Sequence, residues 1–412
     1  MSAAASPALA IVNARLVDPV AGTLSEGGVL IRDRRIAATG AIDAADAQRI
    51  NAKGALAAPG IVDLGTFAVD LPAFTAGGIT RAALMPDQSP ALDDAALVQH
   101  AARAGKPDVW IHPIGAATRG LAGHELAEIG LMKVAGACAV ATGRGWIAHS
   151  GVMYRLLAYA SALDMLVISH AEDGGLVGNA VATDGETATR LGLASSPAIA
   201  EAIVVARDIM LAEETGARLH FHQLTTARAF DLVRAAKRRG VRVSCGISPA
   251  HLLLGDSAIG PFRTFARLSP PLRDESDRLA AIEAVRDGTI DVLCSAHDPQ
   301  GPEAKRLPYA DAAPGMAGAE TLLTLSLTLV RDGVIDLPRL FALLSTNPAA
   351  LLGVPGGTLA RGAEADLILV DPDAPWRIDA DRMAAPEGNS PFDGLPVQGK
   401  VLRTIKGGQP IG

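Results

Sequence analysis

Two histidines stand where an enzyme built on strand ends would hold a metal. His170 closes the apolar run Val167-Ile168-Ser169 and leads into Ala171-Glu172-Asp173, and His222 closes Leu219-His220-Phe221 and leads into Gln223. A lone strand-end imidazole is more often a hydrogen-bonded structural group, but two at corresponding places favour a metal. Two ligands still make a poor zinc site, which normally takes three or four. The cysteines do not complete one: Cys138, Cys245 and Cys294 are far apart with no C-x-x-C spacing, so neither a zinc knuckle nor a disulfide framework is indicated. Their apolar or small neighbours read as surroundings of buried free thiols in a reducing cytoplasm.

The elements that would position these residues follow from the pattern of apolar runs. Short runs at 61–64, 81–85, 109–113, 138–141, 166–169, 218–222, 242–245 and 292–295 alternate with longer segments of helical spacing, the order of parallel βαβ units. Clear helices are expected over 197–214, with Ser196 as cap and Pro197 in the first turn, and over 226–239. Eight such strands fit a (β/α)8 barrel, whose catalytic residues sit at the carboxyl ends of the strands. Both chain ends have another texture, with short strand-like runs separated by Gly, Asp and Asn turns. Residues 1–58 and 353–412 therefore read as one discontinuous small β domain around a barrel at 59–352.

Composition sets the outer limits. The 412 residues are long enough for one large and one small domain, at roughly 100–200 residues per domain. The chain is 49% hydrophobic, 20% charged and only 3% aromatic, which implies a soluble protein with an aliphatic core. A net charge of -7 argues against a nucleic-acid surface. The Ala/Ser-rich tip Met1–Ala10 lacks the basic start and apolar stretch of a signal peptide. The apolar run at 321–330 is too short for a bilayer. A cytoplasmic protein with no membrane or nucleic-acid partner is expected.

Eight motifs in order carry a resemblance over nearly the whole chain. They are Met85-Pro86-Asp87-Gln88, Pro113-Ile114-Gly115-Ala116-Ala117-Thr118, His170-Ala171-Glu172-Asp173, His222-Gln223-Leu224-Thr225-Thr226, Pro270-Pro271-Leu272-Arg273, Gly315-Met316-Ala317-Gly318-Ala319-Glu320, Asn347-Pro348-Ala349 and Pro391-Phe392-Asp393-Gly394. With Pro59-Gly60-Ile61-Val62-Asp63 ahead of them, this resembles the dihydroorotase branch of the amidohydrolase superfamily. The resemblance implies a TIM barrel of the amidohydrolase type with a small β-sandwich domain formed from both chain ends. It also implies a zinc centre that activates water and polarises an amide carbonyl.

Carried over by position, His170 and His222 match the family's two later histidine ligands. The other ligand positions are changed. Gly65 and Phe67 stand where a His-x-His pair would be, Arg144 follows the fourth strand where a cation would be repelled, and Ala296 replaces the eighth-strand Asp. Lys133, the nearest candidate for a carboxylated lysine, precedes the strand on a helix-like segment. Asp63 and Asp298 are substitute ligands if both face the barrel. The family's substrate anchors fall on Val69 and Asp87, the latter disfavouring an anion, while Ser269 and Ala250 replace an Asn and a His, leaving His251. Arg273, Glu320, Asn347 and Asp393 remain and read as structural.

These losses lead to the expectation of a chain that is not an enzyme. It would have no catalytic residues, no cofactor and no metal, with His170 and His222 as vestigial ligand positions. On this reading it resembles the non-catalytic homologue that accompanies aspartate transcarbamoylase, so the catalytic chain of that enzyme is the expected partner, with self-association also open. The alternative is an active zinc amidohydrolase, a dihydroorotase or other cyclic amidase, with a rearranged mononuclear site using His170, His222 and Asp63 or Asp298.

Overall fold

Each of the eight apolar runs of the middle region becomes a parallel strand in the computed structural model, which describes residues 8–411. In chain order the strands are Ile61–Thr66, Ile79–Leu84, Trp110–Ala116, Ala139–Ala141, Leu166–Ser169, Arg218–Phe221, Val243–Ile247 and Val292–Leu293, each beside its sequence neighbour. The circle closes through polar contacts between the first and eighth strands. Ser295 N–H donates to Asp63 Oδ1 at 2.9 Å, and just beyond, Phe67 N–H donates to the His297 carbonyl at 2.8 Å. This is the expected TIM barrel.

Period-two alternation decides what fills the barrel. Val62 and Leu64 pack inside with Ala83, Ile114, Ala139, Ile168 and Val292, all buried. The outer faces meet helices such as Ile199–Thr215 and Ala227–Arg238 through a second aliphatic layer containing Val167, Val204, Leu219 and Phe230. The first of these helices begins later than expected. Ser196 does not cap it but belongs to a two-residue strand, Ser195–Ser196, paired with Ala182–Thr183. Thr226 does cap the second, its side chain accepting from Ala229 N–H.

The chain ends meet in one sheet of eight strands, in which Leu56–Pro59 lies antiparallel to Leu367–Arg377. Residues 1–7 of the Ala/Ser-rich tip lie outside the described residues. Sheet and barrel are joined by Arg81, whose buried guanidinium donates to Asp366 at 2.7 Å and to Glu364. Among the described residues no helix is long and apolar enough to cross a membrane.

Candidate functional site

The carboxyl ends of the strands converge on a small mouth, and its two sides differ in chemistry. On one side lie His170, Glu172, Glu201 and Arg273. His170 Nε2 is 3.3 Å from Glu172 Oε2, and Arg273 Nη2 donates to Glu172 Oε1 at 3.2 Å. Burial opposes the charge on Glu172, but His170 and then Arg273 outweigh it and hold its carboxyl below the ordinary range. Behind them the fully buried Glu201 accepts from the backbone N–H and hydroxyl groups of both Thr225 and Thr226, at 2.6–3.0 Å. Arg273 also donates to Thr225 Oγ1 at 2.8 Å and Thr183 Oγ1 at 3.1 Å.

On the other side lie Gly65, Phe67, Asp87, Arg144, His222 and Asp298. Gly65 has φ +100°, and a Cβ built there would lie 2.1 Å from His222 Cε1, so the imidazole fills the space a side chain at 65 would need. Phe67 meets the same ring edge-on, with centroids 6.0 Å apart. The guanidinium of Arg144 lies 3.9 Å above the Phe67 ring and pairs with Asp298. Asp87 Oδ1 accepts from the Arg144 backbone N–H at 2.8 Å. His222 is buried, and neither ring nitrogen has a hydrogen-bond partner among the described residues. Burial, then His170 and Arg144, push its pKa down to about 3, so the ring is neutral.

Each substitute ligand is engaged elsewhere. Val62 and Leu64 take the interior phase, so Asp63 takes the other and spends both oxygens on Ser295 N–H and Oγ–H. Asp298 is held by Arg144 and by Gln300 Nε2, the latter at 2.8 Å. Lys133 is on the outer helix Ile129–Val134 and donates to the Leu163 carbonyl. His251 pairs with Ser248 Oγ and the Pro270 carbonyl, both at 2.9 Å. Glu320, Asn347 and Asp393 bond to backbone groups at Ala384, Asp291 and Ala380, as their structural reading expects.

The zinc centre implied by the fold family therefore does not fit these residues. Gly65 and Phe67 offer no lone pair, a guanidinium occupies the mouth, and both acids are committed. Among the described residues no group of three or more His, Cys, Asp or Glu side chains could hold a metal. The space left between Phe67, Arg144, Gln223, His251, Ala296 and Asp298 is about 20 Å³, room for one water.

Comparison with known proteins supplies what the geometry lacks. A family model described as dihydro-orotase-like matches residues 49–228. A protein named dihydroorotase from Syntrophotalea carbinolica is 40% identical, covering 97% of both chains. Another of that name from Pelotomaculum thermopropionicum is 41% identical over 98% of both. Among solved structures, the L-hydantoinase (dihydropyrimidinase) of Arthrobacter aurescens superposes with a TM-score of 0.88 at 25% identity, covering 99% of this chain and 96% of that one.

These relatives correct the expectation that the chain is not an enzyme. Full-length homologues bear the name of an enzyme, and this mouth retains an imidazole–carboxylate pair and an unpartnered imidazole, so loss of the first-strand pair does not by itself mark an inert protein. Sequence reasoning counted the charge of Arg144 against a metal but did not see Asp298, its partner 154 positions away. The chain belongs to the dihydroorotase-like family of amidohydrolases.

Proposed function

We propose that the chain hydrolyses a small cyclic amide of the dihydroorotate class at the barrel mouth. The observation that carries this reading is identity of about 40% to dihydroorotases across the full length of both chains. The chemistry requires water oxygen to bond to the ring carbonyl carbon, the ring C–N bond to break, and the departing nitrogen to gain a proton. His170, oriented by Glu172 at 3.3 Å and partly open to solvent, is the group placed to take the proton from water. The test is loss of dihydroorotate and gain of carbamoyl-aspartate with purified protein. Turnover that falls about 100-fold in His170→Ala supports the reading; a folded wild type without turnover overturns it.

A second observation favours an assembly role alongside the activity. Three successive outer helices, Ile129–Val134, Ser150–Ala162 and Ile199–Thr215, expose Leu131, Val134, Tyr154, Tyr159, Ile203 and Met210, with Val134 88% and Met210 69% exposed. So many large apolar side chains on adjacent helices suit a protein interface. The partner proposed is the catalytic chain of aspartate transcarbamoylase. Co-expression should give a co-eluting complex that Val134→Glu with Met210→Glu disrupts; a wild-type chain that elutes apart from that partner contradicts the proposal.

A further inference from the structure

Arg144 and Gln223 line the same small cavity at the mouth. Gln223 Oε1 is buried without a hydrogen-bond partner among the described residues, as are Nδ1 and Nε2 of its neighbour His222 and Oδ2 of Asp87, whose other oxygen holds the Arg144 backbone. Buried polar groups are normally satisfied, so an orphan acceptor and a cation on one cavity point to a ligand. Arg144 stands on the turn Gly143-Arg144-Gly145, with Gly143 at φ +79°. Its one protein acceptor among the described residues is Asp298, reached through Nη1, which leaves the Nε and Nη2 hydrogens for something else. Its position is fixed from beneath by the Phe67 ring and from behind by Asp87. Asp87, expected to repel an anion, instead holds the backbone of the residue that would attract one.

We propose that Arg144 is the carboxylate receptor and specificity-determining residue of this mouth, with Asp298 as a resident counter-ion that an incoming carboxylate replaces. A guanidinium can bind a carboxylate through two parallel N–H donors, so the exchange trades the single Nη1 contact with Asp298 for a two-donor contact with the ligand. Asp298 keeps the Gln300 hydrogen bond when Arg144 leaves it. Because the residual cavity is about 20 Å³, Arg144 must move off Asp298 for a ring to enter. Gln223 Oε1 and Asp87 Oδ2 are then acceptors for ring N–H groups. The inference rests on the reading that the mouth takes a small cyclic amide, and it adds which residue reads the charge.

Calorimetric titration of the full chain with dihydroorotate and with dihydrouracil, which lacks the carboxylate, separates the two ideas. The wild type should prefer dihydroorotate by about 10- to 100-fold. Arg144→Gln, shown by circular dichroism to be folded, should lose that preference while keeping its dihydrouracil affinity. Asp298→Asn, which frees the guanidinium, should bind dihydroorotate several-fold more tightly. An unchanged preference in Arg144→Gln, equal loss of both ligands, weaker dihydroorotate binding by Asp298→Asn, or a wild type that binds neither compound would overturn the proposal. Binding with the predicted preference but no turnover sinks the hydrolase reading alone. Turnover with the preference intact in Arg144→Gln sinks the receptor alone.

Discussion

The two sides of the barrel mouth bury polar groups to opposite ends. Around Glu201 and Arg273 the buried charges have close partners: two threonines give the carboxylate four donors, and the guanidinium reaches two hydroxyls and Glu172. Around His222 and Arg144, ring nitrogens, an amide oxygen and a carboxylate oxygen have none among the described residues. A satisfied buried network fixes a scaffold, whereas an unsatisfied one costs stability that a ligand can recover. Apart from His170, the partly open member of the satisfied side that faces water, the difference separates the residues that hold this mouth in shape from those left to meet a substrate.

The sharpest way to break the comparison is to damage the satisfied side. Glu201→Ala would orphan the Thr225 and Thr226 donors and leave Arg273 with Glu172 as its one acid, so a loss of about 3–5 kcal/mol in urea unfolding is expected. A loss below 1 kcal/mol would mean the network is not the scaffold. Next comes Gly65→His, which restores a first-strand histidine. It forces a side chain into the His222 ring at φ +100° and should cost about 2–3 kcal/mol. Combining it with His222→Ala should recover part of that cost; strictly additive losses would show that the two positions do not compete for one space.

Acid provides a smaller and graded test. His251, on the satisfied side, has its pKa pushed down to about 4, chiefly by burial. Its folded pKa lies below the unfolded value, so the unfolded state takes the proton first. Stability is therefore lost as pH falls from about 6.5 through about 4, by up to about 1.4 kcal/mol per pH unit for one group. His251→Gln should flatten the stability–pH slope in that window. An unchanged slope would place the titration elsewhere, in His112, His220 or His222, which are also lowered.

Much of this scaffold was legible in the sequence because it is local. Eight apolar runs alternating with helical segments specify a barrel without reference to distant partners. Turn-rich ends with matching texture likewise anticipated one shared β domain, which the structure builds as a single sheet. Where reading failed, the deciding contact was remote or depended on phase. Ser196 was expected to cap a helix but pairs with Thr183 in a two-residue ladder. Asp63 was left as a substitute ligand if it faced the barrel, whereas Val62 and Leu64 hold the interior and Asp63 ties to Ser295, 232 positions on. On the satisfied side Arg273 finds Glu172 and Thr225 within motifs visible in the sequence, whereas Glu201 and Thr183 lie outside every motif. The partners of Arg144 and the bare nitrogens of His222 leave no trace in spacing or composition.

Replacing His222 by Leu tests the central claim most directly, because it asks the unsatisfied side for opposite changes in two quantities. A buried neutral imidazole with no partner contributes little to folding, so His222→Leu should match or exceed wild-type stability by about 1 kcal/mol. Its rate of dihydroorotate ring opening, measured beside the wild type, should fall at least about 10-fold, because the substrate loses the hydrogen-bonding group that the bare ring offers. A variant as active as the wild type, or a wild type with no ring opening to lose, would contradict the account.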